Sequence, residues 1–145
     1  MGSDHAGYDL KVVLAEHLVG AGHEVTDLGT GNDRDSVDYP AFGAAVGRAV
    51  VAGQADLGVC VCGTGIGISI AANKVRGIRA ALVTDEYGAR MAREHNDSNV
   101  LALRGREFDP EEARRLMTIW LDTPFGEGPR HARRIEKIKA IEEAQ

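Results

Sequence analysis

Residues 57–61, Leu-Gly-Val-Cys-Val, form a run with no polar position inside it. So short and uninterrupted a run predicts a strand covered on both faces, as in a parallel sheet. Three glycines follow at alternate positions, Gly63, Gly65 and Gly67. Beyond them Ile68, Ile70, Ala71, Ala72 and Val75 predict a short buried helix. Residues 78–83 and 99–103 read as two further buried strands, and residues 24–28 as another strand candidate. Between these runs the apolar period becomes helical. Residues 8–19 place Leu10, Val13, Leu14 and Leu18 on one face, and Gly20 and Gly22 end the pattern. Pro40 suits the first turn of a helix reaching about residue 52, whose Ala41, Gly43, Ala44, Ala45 and Gly47 allow close packing. Asp85 can cap a helix through residue 94. Asp109-Pro110-Glu111-Glu112 opens another, to about residue 121, with cap, proline and early acids in order. A glycine–proline connector at 124–129 leads to a last helix over 130–143.

Strand and helix alternate with short connections, which predicts one α/β domain over residues 1–145. Its fold is a doubly wound, Rossmann-like parallel sheet with helices on both faces and a C-terminal helix. One position breaks the scheme. The stretch Gly2-Ser3-Asp4-His5-Ala6-Gly7 has the chemistry of a loop leaving the carboxyl end of a first strand, yet only Met1 precedes it. The expectation is a chain that lacks its first strand through a truncated start, which would expose unpaired sheet edges.

A net charge of −5 argues against a nucleic-acid binder. No run approaches the roughly 20 apolar residues of a membrane span and no signal peptide is visible, so the expected compartment is the cytoplasm. Two cysteines, Cys60 and Cys62, are too few for a disulfide framework and make a poor zinc site. The locally basic segment 130–139, taken alone, is either a solvated helix face or a pocket for one small anion.

Cys60 lies inside the apolar strand and reads as inert packing. Cys62 lies where strand becomes turn, beside a helix N-terminus whose free N–H groups stabilise a thiolate able to act as base or nucleophile. The run Gly63-Thr64-Gly65-Ile66-Gly67 is neither a dinucleotide fingerprint nor a P-loop. It is either a tight strand–helix turn or a ring of donors for an oxyanion. Asp4-His5 and His95-Asn96 are polar pairs near strand ends. Arg106 follows a strand closely. Arg130 and Arg134 sit one helical turn apart, a spacing suited to gripping a phosphate.

Taken together, the Gly2–Gly7 stretch, Asp38-Tyr39-Pro40, the Cys62–Gly67 run, Ala71-Ala72-Asn73-Lys74, Glu94-His95-Asn96-Asp97 and Arg130-His131-x-x-Arg134 resemble the type B ribose-5-phosphate isomerases. These share a superfamily with galactose-6-phosphate isomerase subunits, and the resemblance spans essentially the whole chain in register. It implies an aldose–ketose isomerase that interconverts ribose 5-phosphate and ribulose 5-phosphate without metal or organic cofactor. By the same resemblance Cys62 is the general base, the amides of Gly63, Thr64, Gly65, Ile66 and Gly67 hold the enediolate oxygen, and His95 assists ring opening. Asp4, His5 and Asn96 then bind sugar, Arg106 is a further ligand contact, and Arg130 and Arg134 grip the phosphate. It further implies a homodimer or tetramer with the site at the subunit boundary. The 41–52 helix and the C-terminal helix are candidate contact surfaces. Two alternatives are a six-carbon substrate, galactose 6-phosphate or allose 6-phosphate, and a non-catalytic phosphate- or nucleotide-binding module on the same scaffold.

Overall fold

The computed structural model describes residues 1–126 and 128–144, so Glu127 of the expected connector lies outside the described residues. The element order is β1 (Gly2–Ser3), a 3-10 turn (His5–Gly7), α1 (Tyr8–Gly20), α2 (Tyr39–Val51), β2 (Gly58–Cys62), α3 (Ile66–Asn73), β3 (Ala80–Leu82), α4 (Glu86–Glu94), β4 (Val100–Arg104), α5 (Pro110–Asp122) and α6 (Pro129–Glu143). The strands form one parallel sheet in the order β1-β2-β4-β3. Alternation along β2 sorts the two cores. Val59 and Val61 face α1, α4 and α5, packing with Leu14, Leu101, Leu103, Leu116 and Trp120. Cys60 and Cys62 face α2 and α3, packing with Val46, Ile68 and Ala72. Helices on both faces are what the strand–helix alternation demands. Among the described residues no helix is long and apolar enough to cross a membrane.

The expected absence of a first strand is corrected. Gly2 and Ser3 occupy its place, paired in parallel with Cys60 and Val61 of β2. Residues 24–28, expected as a strand, are not one. They run extended along the outer side of β1, where the Met1 amine donates to Thr26 O at 2.6 Å, Leu28 N–H to Met1 O at 2.8 Å and Thr30 N–H to Ser3 O at 3.0 Å. With so few residues to pair against, the bonds stop short of a ladder, but they cover the edge. Two of the small residues of α2, Gly43 and Gly47, are spent within the chain, for a Cβ on Gly43 would lie 2.7 Å from Ile68 O of α3. That face of α2 is therefore unavailable to another subunit.

Lys11 fixes the outer segment to α1. Its side chain is 1% exposed, and its ammonium donates to Asp27 Oδ1 (2.8 Å), Asp27 Oδ2 (2.7 Å) and Thr30 O (2.8 Å). All three ammonium hydrogens are used, which is the condition for burying such a group.

Candidate active site

The carboxyl ends of β1, β2 and β4 share one rim, where open parallel sheets bind ligands. A cavity of about 490 Å³ opens there, walled by Asp4, His5, Tyr39, Cys62, Gly63, Thr64, Gly67 and Arg106 among others. A larger groove of about 600 Å³ lies between α1 and α5. Its walls are exposed surface, Arg114 paired with Glu111, Arg115 with Glu86 and His17 with Thr118 at 3.2 Å, whereas the cysteine, the glycine turn and the Asp4–His5 pair gather at the strand ends.

Cys62 ends β2 with its side chain toward α3 and is 3% exposed. The Gly65 N–H donates to its Sγ at 3.2 Å. An amide hydrogen aimed at sulfur complements the negative charge of a thiolate. Cys60, two residues back, has no such donor, and burial pushes its thiol up to about 12.

The glycine run has a more exact explanation than a bare ring of donors. Gly65 has φ +75°, and a Cβ there would lie 2.9 Å from the Leu103 backbone. A Cβ on Gly67 would strike the Tyr39 ring at 2.4 Å. Protein packing therefore requires both glycines, whereas a Cβ on Gly63 meets nothing closer than 3.5 Å. Not every amide is free either. Gly65 N–H serves the thiol, and Ile66 N–H donates to Thr64 Oγ1 at 3.2 Å. The first-turn amides of Gly67 and Ile68 remain, donors that no carbonyl of α3 can reach.

On the opposite wall Asp4 is buried and caps the 3-10 turn, accepting from Gly7 N–H at 3.0 Å on Oδ1. His5 Nδ1 accepts the Val37 N–H at 3.2 Å, which leaves the ring proton on Nε2. Val37 and Tyr39 carry no site role in the sequence reading. The signal available was Tyr39-Pro40 at a helix start, which sets an aromatic ring beside whatever α2 packs on. Asn73, part of the Ala-Ala-Asn-Lys motif, is structural, since its amide exchanges two hydrogen bonds with Ala80 (2.8 and 2.9 Å) and holds the edge strand β3.

The remaining expected residues lie elsewhere. His95 caps the carboxyl end of α4, and Asn99 O accepts from Gly58 N–H at the amino end of β2. His95 and Asn96 thus sit at the amino edge of the sheet, about 13 Å along β2 from the Cys62 rim at roughly 3.3 Å per residue. Arg130 and Arg134 of α6 are with them. His131 stacks on His95, with ring centroids 4.3 Å apart and planes at 11°. Arg130 Nε donates to His131 Nε2 at 3.3 Å. His131 is held below the ordinary imidazole range by burial first, then by His95, Arg130 and Arg134, with Glu94 opposing. Within one chain, then, Asp4, His5, Cys62–Gly67 and Arg106 are brought together, while His95, Asn96, Arg130 and Arg134 form a second, basic cluster apart from them.

The profile of a family described as Ribose/Galactose Isomerase matches residues 1–138. Ribose-5-phosphate isomerase B of Escherichia coli is 46% identical over 142 residues, covering 98% of this chain and 94% of that protein. The structure of a Clostridium thermocellum ribose-5-phosphate isomerase B superposes with a TM-score of 0.95 at 52% identity, covering 99% of this chain and 95% of the other. A Mycoplasma genitalium ribose-5-phosphate isomerase B, solved with bound ribulose-5-phosphate, superposes at TM-score 0.93 and 41% identity, with 99% and 95% covered.

Proposed function

The chain belongs to the ribose/galactose isomerase family, and from that premise we propose that it interconverts ribose 5-phosphate and ribulose 5-phosphate through an enediolate, with Cys62 as general base. The observation that carries this reading is the Cys62 sulfur at the strand-end cavity, with an amide N–H on it at 3.2 Å. Relatives named ribose-5-phosphate isomerase B, one holding ribulose 5-phosphate, support the choice of sugar.

Moving a carbonyl along a sugar needs a base at carbon and donors at oxygen. The thiolate takes the C2 proton of the opened aldose. The C2–H electron pair becomes the C1–C2 double bond, and the aldehyde oxygen becomes an oxyanion facing the free amides of the α3 N-terminus. The sulfur returns its proton to C1 while the C2 hydroxyl gives its proton to the C1 oxygen, leaving a ketone at C2. Protons and electrons balance within the sugar and the thiol, so the scheme calls for no redox cofactor. On the opposite wall Asp4 Oδ2 can accept from a sugar hydroxyl, and His5 Nε2–H can donate to a hydroxyl or phosphate oxygen. Arg106 supplies the local positive charge.

His95, Asn96, Arg130 and Arg134 enter this scheme from a second copy of the chain. His95 then delivers a proton to the ring oxygen of the closed sugar, and the arginines hold the phosphate. Ile66 and Ile70, 51% and 55% exposed beside the cavity, are apolar surface that a partner subunit would cover. Replacing the base tests the reading. Cys62→Ser should lower kcat on ribose 5-phosphate by about 10³-fold or more, because a hydroxyl is a far weaker base near neutral pH. Near-normal turnover by Cys62→Ala would end the assignment.

A further inference from the structure

His131 has no part in the scheme above, yet it touches two members of the basic cluster at once. It is the third residue of α6 and only 8% exposed, while Arg130 and Arg134 on either side of it are exposed. The connector before it is tied to the end of α4, with Gly126 N–H donating to Glu94 O at 2.9 Å. That bond brings the start of α6 against His95. The two imidazoles lie nearly parallel at 4.3 Å, and Arg130 Nε donates to His131 Nε2 at 3.3 Å. A ring nitrogen that accepts a hydrogen bond carries no proton, so His131 has its hydrogen on Nδ1 and is uncharged.

We infer that His131 is a positioning residue: its ring face fixes the plane of His95, and its Nε2 fixes the guanidinium of Arg130. The inference rests on the proposed roles of His95 in ring opening and Arg130 at the phosphate. An uncharged platform lets His95 gain and lose a proton beside it without a second cation in contact. Protonating His131 turns its acceptor into a donor, which releases Arg130. The charged and titratable groups facing it are His95 and Glu94 from α4, and Arg130 and Arg134 from α6. Three of these four disfavour a further positive charge.

Two substitutions separate the two contacts. His131→Phe keeps a flat ring against His95 and loses the acceptor. It should raise KM for ribose 5-phosphate about 5- to 10-fold with kcat within about twofold of wild type, as loss of a binding contact does. His131→Gln keeps an acceptor for Arg130 and loses the ring. It should lower kcat on ribose 5-phosphate about tenfold with KM little changed. The reverse kcat/KM should fall by the same factor, since the equilibrium constant fixes the ratio of the two directions. If both variants change kcat and KM in the same way, or neither changes either, the inference is overturned. Wild type assayed in parallel separates the cases, for an inactive wild type overturns the isomerase reading instead. Should either variant fail to fold, nitrogen-15 spectra of wild-type His131 still decide: the hydrogen on Nδ1 with bare Nε2 at neutral pH is the expected state, and a hydrogen on Nε2 overturns it.

Discussion

Cys60 and Cys62 point to the same face of β2, because side chains two apart along a strand do. Burial dominates at Cys60, with the Met1 amine opposing it and Cys62 adding to it, and the thiol is pushed up to about 12; Cys62 reaches the cavity and receives the Gly65 amide. Iodoacetamide on the native protein near pH 8 should therefore label one thiol, Cys62, and inactivate Cys60→Ala as fast as wild type. Labelling of Cys60, read by peptide mass, would contradict this. The same burial has a signed effect on stability. Between the ordinary thiol value of 9.0 and about 12 the folded chain keeps a proton that the unfolded chain loses, so stability falls as pH rises through that window. Urea melts across it should show a steeper alkaline decline in wild type than in Cys60→Ala. Both cysteine placements were legible in the sequence, since one thiol sits within the apolar run and the other at its end. Lys11 was not legible as a buried residue, because a lysine on a helix is ordinarily surface. Its place three residues before Leu14 and seven before Leu18, on the apolar stripe, was the available sign. Because Asp27 is half-exposed and can rehydrate, Lys11→Met should cost only about 1–2 kcal/mol in urea melts, below the usual penalty for breaking a buried pair.

The turn between β2 and α3 shows how one element can look like a ligand loop and yet be shaped by packing. Gly65 must be glycine for its positive φ, and Gly67 must be glycine because the Tyr39 ring lies on it. These two causes predict different responses. Gly65→Ala should destabilise the fold by about 1–3 kcal/mol in any background, the usual cost of left-handed backbone without glycine. Gly67→Ala should destabilise wild type but be neutral or stabilising by up to about 1 kcal/mol in Tyr39→Ala, because alanine is the better helix former once the ring is gone. Equal costs in both backgrounds would mean that Tyr39 is not the obstacle. The elements themselves followed from periodicity, since each buried strand and each capped helix carries its own local signal. The two elements misread, β1 and the 24–28 segment, exist only through each other and β2. A two-residue strand has no period, and an extended segment that pairs with it lacks the partners to become a ladder.

At the scale of the molecule, the chain holds its candidate machinery in two parts. The thiol and the α3 amides stand at the carboxyl edge of the sheet, and the His95–His131–Arg130 cluster stands at the amino edge. Sequence order could not reveal this separation, because Cys62 and His95 are both near strand ends and only the opposite running of α4 sends His95 to the far side. A parallel sheet holds those edges apart, which is why the proposed site draws its two parts from different subunits. If the proposed pairing holds, each site joins the thiol edge of one subunit to the histidine edge of the other. Two variants, Cys62→Ala and His95→Asn, are then each deficient for a different half. Unfolded together in equal amounts and refolded, they should yield mixed dimers in which one of the two sites carries both defects and the other neither. Random pairing in a twofold-symmetric dimer then restores about a quarter of the wild-type activity on ribose 5-phosphate. The same variants refolded separately and mixed without exchange should restore none. Recovery limited to the sum of the two variants' own residual rates, with mixed dimers confirmed by mass, would show that each chain completes its own site and that the second copy contributes nothing to it.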